Sequence, residues 1–183
     1  MERVVLVDEA DVARGSEEKL AAHRAGLLHR AFSIFVFDGA GRLLLQRRAD
    51  GKYHSAGQWS NTCCGHPRPA EPLEAAARRR LQEEMGLACA LRPLGTYRYQ
   101  ARLDGGLSEN EIDHLLVGEF EGRPSPDPRE ASAWRWVAPG ALRREVEHDP
   151  LRFTVWLRGC LGRVLASLPA PPRPRPAAPP FRP

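Results

Sequence analysis

Residues 65–87 read GHPRPAEPLEAAARRRLQEEMGL, and they carry the clearest helix signal in the chain. Pro72 suits the first helical position, and Glu74 places negative charge in the first turn, where the helix dipole favours it. Gly86 is the kind of residue at which such a helix ends. Three apolar residues share one face of this helix: Ala77, Leu81 and Met85. The pattern predicts a helix over residues 72–85 with one buried side.

The same helix carries two carboxylates near its C-terminus, Glu83 and Glu84, where the helix dipole disfavours negative charge. Carboxylates at this position need compensation, and a divalent cation such as Mg²⁺ would supply it. On composition alone, the alternative is a solvated helix end that is neutralised by the adjacent Arg78, Arg79 and Arg80.

The whole stretch resembles the Nudix box, a loop–helix–loop segment that holds divalent metal against a diphosphate. Gly65 is followed after five residues by Glu71, and after seven more by RRLQEEMGL. Nudix hydrolases have Arg-Glu where this chain has Arg79-Arg80. The resemblance therefore implies the Nudix scaffold with an incomplete hydrolytic metal site.

Before and after this helix in the sequence, predicted strands and helices are mixed and do not follow a repeated βαβ order. Apolar runs predict strands at 4–7, 32–37, 42–48, 96–103, 113–120 and 132–137. The turn DGAG joins the second and third of these strands as a hairpin. Further helices are predicted after a cap at Ser16, ending at Gly26, and at 141–147 and 153–168. The expected fold class is α/β, a Nudix-like α/β/α sandwich with a mixed β-sheet over residues 1–168.

Residues 169–183 read PAPPRPRPAAPPFRP and are predicted to form a flexible proline- and arginine-rich tail outside the fold, with a partner-binding tail as the alternative. The net charge is +4, of which three charges come from Arg173, Arg175 and Arg182, so the remainder carries +1. A nearly neutral body argues against nucleic acid as a partner. The chain has no signal-peptide pattern and no apolar run near the ~20 residues of a membrane-spanning helix, so we expect a cytoplasmic protein.

The stretch SNTCCGHPRPAEP, residues 60–72, joins two adjacent cysteines to a histidine. Metal binding, redox chemistry and acid–base catalysis are all open to such a group. A metal or redox sensor is the weaker alternative, because sensors normally carry CxxC pairs and adjacent cysteines chelate one metal poorly. In a reducing compartment we expect free thiols or ligands, not disulfides, at four positions: Cys63, Cys64, Cys89 and Cys160.

Histidines and an acidic pair supply candidate metal ligands. Alternate residues of an extended segment point the same way, so Glu109 and Glu111 in SENEID share a face. With three imidazoles they would make an octahedral N/O site for Mn²⁺, Zn²⁺ or Mg²⁺. The histidines considered for it are His23, His29 and His66, although spacing alone does not make them converge. The other histidines are interpreted as surface or core residues: His54, His114 and His148.

Four segments together resemble a type I isopentenyl-diphosphate delta-isomerase, a Nudix-fold family that moves a double bond and does not hydrolyse phosphate. They are HRAFSIFVFD, LLLQRRADGKYHSAGQWSNTCCGHP, RRRLQEEMGL and GLSENEI. The resemblance covers most of the chain from Val4 to about Leu168, and the combination of NTCCGHP with SENE is highly specific. It implies interconversion of isopentenyl and dimethylallyl diphosphate through a tertiary carbocation, in isoprenoid precursor biosynthesis.

The resemblance also implies roles for single residues. The catalytic thiol matches Cys64, its acid–base partner matches Glu111, and the active-site aromatics match Tyr99 and Trp156. Cys63 has no assigned role. The implied metal ligands, with Mn²⁺ expected first and Zn²⁺ or Mg²⁺ as alternatives, are His23, His29, His66, Glu109 and Glu111.

A second ion, Mg²⁺ bound with the substrate diphosphate, matches Glu84, whereas Glu83 is not carried over. The only two lysines of the chain, Lys19 and Lys52, match diphosphate contacts, as does Arg48. We expect no flavin or nicotinamide, and a monomer is compatible with the sequence. The alternative enzyme is a Nudix hydrolase acting on a nucleoside diphosphate derivative. That activity would not explain the cysteines of NTCCGHP, because it assigns them no role.

Overall fold

The computed structural model describes residues 2–167. Within them, nine strands form one sheet and four helices flank it. In chain order the elements are β1 Arg3–Val7, β2 Ala13–Glu18, α1 Lys19–Ala25, β3 His29–Phe37, β4 Leu43–Arg48, β5 Trp59–Ser60, β6 Cys63–Gly65, α2 Leu73–Met85, β7 Leu91–Arg102, β8 Ser108–Glu119, β9 Ala131–Val137, α3 Pro139–His148 and α4 Val155–Ala166.

Strand β3 is the centre of the sheet. It pairs in parallel with β8 along its whole length, from His29 opposite Glu111 to Phe37 opposite Glu119. Its other edge meets β1, β6 and β4 in turn, all antiparallel. Apart from Arg30, every residue of β3 is buried, as expected for a run rich in Phe, Ile and Val. The sheet is therefore mixed, as predicted. The predicted β3–β4 hairpin pairs only at Phe37 and Leu43.

Successive side chains of β3 serve opposite faces of the sheet. Phe32, Ile34 and Val36 pack in one core cluster with α2. Phe35 and Phe37 pack in a second cluster with residues of α3 and α4. One helix thus covers one face and two helices cover the other, which confirms the predicted α/β/α sandwich.

Helix α2 has the predicted buried face and a slightly later start. Pro72 is its N-cap and not its first helical residue, whereas Gly86 ends it in the left-handed conformation with φ 61°. A side chain at Gly86 would also collide with the backbone of Ser125, since an added Cβ would lie 2.3 Å from that carbonyl oxygen. The three predicted face residues are all buried: Ala77, Leu81 and Met85.

The prediction of a helix directly after Ser16 was wrong. Ser16 lies in β2, which pairs antiparallel with β1, and α1 begins only at Lys19. The Asp8 carboxylate accepts the backbone N–H groups of Ala10 and Val12 and so builds the turn between the strands. No residue of β2 is buried, so its sequence carries no apolar alternation.

Other element boundaries also shift. Strand β7 begins at Leu91, and α4 begins at Val155, two residues after the predicted start. The short strands β5 and β6, at the start of the cysteine stretch and within it, were not predicted. All four cysteines are free, as expected. Among residues 2–167, no helix is long and apolar enough to cross a membrane. The predicted tail at 169–183 lies outside the described residues, so the domain boundary at 168 stays a prediction.

Candidate active site

The five side chains considered as metal ligands converge beside the start of β3. Their ligand atoms all lie within 4.8 Å of one another, and all five side chains are buried. They are His23, His29, His66, Glu109 and Glu111. They come from α1, β3, the segment after β6, and β8. The parallel pairing of β3 with β8 brings distant segments together, because it places His29 directly opposite Glu111.

Backbone carbonyls orient two of these histidines. Nδ1 of His23 lies 2.6 Å from the Lys19 carbonyl oxygen, and Nδ1 of His29 lies 2.8 Å from that of Leu27. A carbonyl only accepts, so each Nδ1 carries a proton, and in the neutral ring each Nε2 turns a lone pair toward the cluster. Both Nε2 atoms and Oε2 of Glu109 are buried and make no hydrogen bond of acceptable geometry among the described residues, although Nε2 of His23 lies 3.1 Å from Oε2 of Glu109. A divalent cation would satisfy these atoms, so the residues fit a metal ion.

Glu111 links the cluster to an aromatic hydroxyl. Its Oε1 lies 2.9 Å from Nε2 of His66 and 3.3 Å from Nε2 of His29. Its Oε2 accepts a hydrogen bond from the Tyr99 hydroxyl at 2.6 Å. Burial opposes ionisation of Glu111, but hydrogen bonds from the protonated form of the His29 ring and from the Tyr99 hydroxyl outweigh it and lower the pKa of this carboxyl. Burial raises the pKa of Tyr99, so its hydroxyl remains a proton donor.

The adjacent cysteines point to different places. Strand β6 pairs with β3, and alternation along it turns Cys63 into the core cluster around α2 and Cys64 into the cleft. Cys64 Sγ donates to Oδ1 of Asn61 at 3.1 Å and lies 3.6 Å from Oγ of Ser33. Burial is the main cause that raises the pKa of Cys64 to about 12. The group facing the cleft is therefore a thiol.

Cys64 and Glu111 border one cleft. They lie on β6 and β8, which pair with opposite edges of β3. Tyr99 and Trp156 line the same cleft. The indole of Trp156 is held in place by its Nε1–H, which donates to Oγ of Ser60 at 2.9 Å. A thiol and a carboxyl thus reach one space from separate strands, beside an aromatic face.

Comparison with known proteins decides the family. Residues 27–157 match the NUDIX domain model. The chain is 53% identical over 165 residues to isopentenyl-diphosphate Delta-isomerase 1 of Aromatoleum aromaticum, covering 90% of this chain and 93% of that protein. It is 55% identical over 163 residues to isopentenyl-diphosphate Delta-isomerase of Burkholderia multivorans, covering 89% and 93%. The chain belongs to the isopentenyl-diphosphate Delta-isomerase family.

Solved structures support the fold of this isomerase family member. DR0079 from Deinococcus radiodurans superposes with a TM-score of 0.75 at 20% identity, covering 88% of this chain and 98% of that chain. A MutT protein from Methanosarcina mazei superposes with a TM-score of 0.63 at 17% identity, covering 76% and 94%. At such identities the likeness concerns the Nudix fold alone.

Cationic side chains line the cleft of this isomerase family member. The three cations matched to diphosphate contacts all line it: Lys19, Arg48 and Lys52. Lys19 pairs with Glu2 at 3.0 Å, and Lys52 pairs with Glu130 at 2.5 Å. Arg48 donates to the His54 carbonyl oxygen and lies over the Trp156 ring, 5.3 Å from its centroid.

The two glutamates at the end of α2 have different surroundings. Glu84 is buried at the cleft, where it accepts from Gln46 Nε2 at 2.9 Å and from Arg80 Nη2 at 2.5 Å. Glu83 is 42% exposed and pairs with Arg79 and Arg80 on the surface. The expectation that Glu84, and not Glu83, binds the substrate Mg²⁺ is consistent with the position of Glu84 at the cleft and of Glu83 on the surface.

Sequence reasoning missed several residues of the cleft. Arg80, noted only as a departure from the hydrolase pattern, lines the cleft with Tyr53 and Glu2. His54, interpreted as an ordinary surface or core residue, is buried in the cleft wall with Nε2 3.6 Å from Glu109 Oε1. In the sequence, the run of three arginines indicated only positive charge at the helix surface. No sequence pattern distinguishes Tyr53, Glu2 or His54 as a site residue.

Proposed function

We propose that this enzyme interconverts isopentenyl and dimethylallyl diphosphate by adding a proton to one carbon and removing a proton from another. The observation that carries the proposal is the shared cleft of Cys64 and Glu111, which lie on strands at opposite edges of β3 and have cationic side chains nearby. A double-bond shift of this kind needs two acid–base groups flanking the substrate. The intermediate is a tertiary carbocation.

The two acid–base groups have complementary resting states. Burial raises the pKa of Cys64 to about 12 and the network around Glu111 lowers the pKa of its carboxyl. A thiol and a carboxylate therefore face the substrate, one ready to donate and the other ready to accept. Tyr99, bonded to Glu111, would orient this carboxylate or relay its proton. Such a turnover ends with a Cys64 thiolate and a protonated Glu111, and the reverse reaction would start from these forms, with Glu111 donating first. Loss of the proton from Glu111 and return of a proton to Cys64, by exchange with solvent, would restore the starting forms.

The five-residue cluster would hold one divalent ion, with Mn²⁺ expected before Zn²⁺ or Mg²⁺. Such an ion would fix the Glu111 carboxyl and shift its acidity. Glu84 would hold a Mg²⁺ that arrives with the diphosphate, beside Lys19, Arg48 and Lys52. The lysine ammonium is a point charge on a flexible side chain, so it can bind a diphosphate without the planar, two-point contact that an arginine guanidinium makes.

Trp156 would protect and stabilise the cationic intermediate. Its ring is almost fully buried and lines the cleft, where it already lies 5.3 Å from the cationic Arg48 guanidinium, measured to the ring centroid. A cation over such a face gains about 2 kcal/mol. Exclusion of water is equally necessary, since water would trap the cation as an alcohol.

The arrangement disfavours the hydrolase alternative. The position where hydrolases have glutamate carries Arg80, whose guanidinium lies at the cleft and pairs with Glu84 at 2.5 Å. A cation there leaves the hydrolytic acidic cluster incomplete, whereas it suits a diphosphate that must be anchored and kept whole. Small-molecule diphosphates are thus the expected partners, and a monomeric cytoplasmic enzyme stays a prediction from the sequence.

The paired cysteines provide the test. Cys64→Ala and Glu111→Gln should each abolish isomerisation with the fold intact by circular dichroism. Cys63→Ala is the matched control, since it removes a neighbouring thiol that packs in the core, and it should retain most activity. Wild-type turnover in Cys64→Ala, or complete loss in a folded Cys63→Ala, would overturn the assignment of the thiol.

A further inference from the structure

The side chain of Asn61 is fully buried between the central strand and the start of α4. Its Nδ2 donates to the carbonyl oxygens of Ile34 and Cys63, at 3.1 and 2.9 Å. Both partners are pure acceptors and use both hydrogens of the amide, so the orientation of the amide follows from the network. Oδ1 must consequently point the other way.

Three donors converge on that oxygen. Cys64 Sγ lies 3.1 Å from Oδ1 of Asn61, and Ser60 Oγ lies 3.0 Å from it. The single N–H of the Trp156 indole is shared, with Nε1 at 3.1 Å from this oxygen and at 2.9 Å from Ser60 Oγ. The thiol comes from β6 and the indole from α4, so one amide oxygen joins the proton-transfer group to the aromatic face. The backbone reinforces the link, because Thr154 N–H donates to the Trp59 carbonyl oxygen at 2.9 Å.

We infer that Asn61 is a positioning residue, which sets the Cys64 sulfur and the Trp156 ring at fixed places on the cleft wall. The inference rests on the proposed isomerase function. A thiol turns readily about its Cβ–Sγ bond, so the hydrogen bond locates the sulfur without preventing delivery of its proton. Proton transfer to an alkene is sensitive to placement, and a shift of about 1 Å can cost about 100-fold in rate. Asn61 itself need not touch the substrate.

The second neighbour of the sulfur is consistent with this role. Ser33 Oγ donates to Asp113 Oδ2 at 2.7 Å, so its oxygen is left to accept toward Cys64 at 3.6 Å. The nearest polar neighbours of the thiol are thus two acceptors, of which Asn61 is the closer. The S–H group therefore has one preferred direction in the resting enzyme.

Asn61→Ala tests the inference against Thr62→Val as a matched control. Thr62 is the next residue, is also fully buried, and accepts from Val36 N–H while donating to the Leu44 carbonyl oxygen. Both variants should lose melting temperature. Only Asn61→Ala should lower kcat, by at least about tenfold with KM within about threefold, because a misplaced sulfur slows the chemistry and leaves the diphosphate contacts unchanged. A kcat no lower than that of Thr62→Val would refute the positioning role.

A spectroscopic measurement applies even if Asn61→Ala does not fold. Cys64 donates to an oxygen at 3.1 Å, whereas Cys63 donates to a carbonyl oxygen at 3.9 Å. The infrared S–H band that Cys64→Ala removes should therefore lie at lower frequency than the band that Cys63→Ala removes. A Cys64 band at or above that of Cys63 would overturn the inference. An inactive wild-type enzyme with a low-frequency Cys64 band would instead count against the proposed function alone.

Discussion

Tyr99→Phe removes one hydroxyl from the site and leaves the ring in place. In the wild type this hydroxyl donates to Oε2 of Glu111 at 2.6 Å, while Oε1 faces His66 and His29. The variant thus deprives a buried carboxylate of the donor on one of its two oxygens. A hydrogen bond to a charged group contributes about 1.5–3 kcal/mol. If Glu111 needs this support at the transition state, kcat falls by roughly 10- to 150-fold.

Steady-state kinetics with isopentenyl diphosphate would measure this effect, and KM should change little because the diphosphate cations are untouched. Tyr97→Phe is the matched control. Its ring stacks on Tyr99 with centroids 5.4 Å apart, and Phe keeps that stacking while removing a hydroxyl that Glu111 does not use. A kcat for Tyr99→Phe within threefold of Tyr97→Phe would refute the argument that this hydroxyl supports Glu111.

Three further predictions concern the metal, the diphosphate and the ion pairs of α2. Protein that has been freed of metal with a chelator should gain about 5–11 °C in melting temperature when Mn²⁺ is added at a hundred times its Kd. A His29→Ala variant that gained as much would exclude the histidine–glutamate cluster as the Mn²⁺ site. Lys52→Ala should raise KM about tenfold with kcat nearly unchanged, and recovery in Lys52→Arg would show that charge is what matters. Glu71→Gln should cost about 1–2 kcal/mol of unfolding free energy at neutral pH, since it breaks a two-point contact with Arg79, and the exposed Glu74→Gln should cost less. Because Arg79 lowers the pKa of Glu71 from 4.5 to about 2, this contribution is complete above pH 4.5 and disappears as the pH falls toward 2, which urea titrations at several pH values would follow.

Periodic features were readable from the sequence because they depend on local geometry. The apolar face of α2 and the shared face of Glu109 and Glu111 follow from the 3.6 and 2.0 residue periods. The solvent-facing strand β2 has no such period, so Ser16 was assigned as a helix cap and Glu17 and Glu18 as the first helical residues. Two- and three-residue strands such as β5 and β6 carry too few residues for any period to appear.

The convergence of the site depends on long-range pairing. Nothing in the spacing places His29 opposite Glu111, because that contact exists only through the parallel register of β3 and β8. The family resemblance supplied this grouping. Arg80 and Asn61 were not proposed as site residues because their surroundings, and not their local patterns, give them meaning. An arginine in a charged run and an asparagine in a turn-like stretch look ordinary until their contacts are known.

The most direct test of the central claim is proton NMR of the purified, metal-loaded enzyme with isopentenyl diphosphate and Mg²⁺ in D₂O, with released phosphate followed in the same sample. The proposed function predicts dimethylallyl diphosphate that carries deuterium, and no phosphate release. An unchanged alkene in the presence of folded, metal-loaded protein would contradict the isomerase assignment, and phosphate release without a double-bond shift would favour the hydrolase.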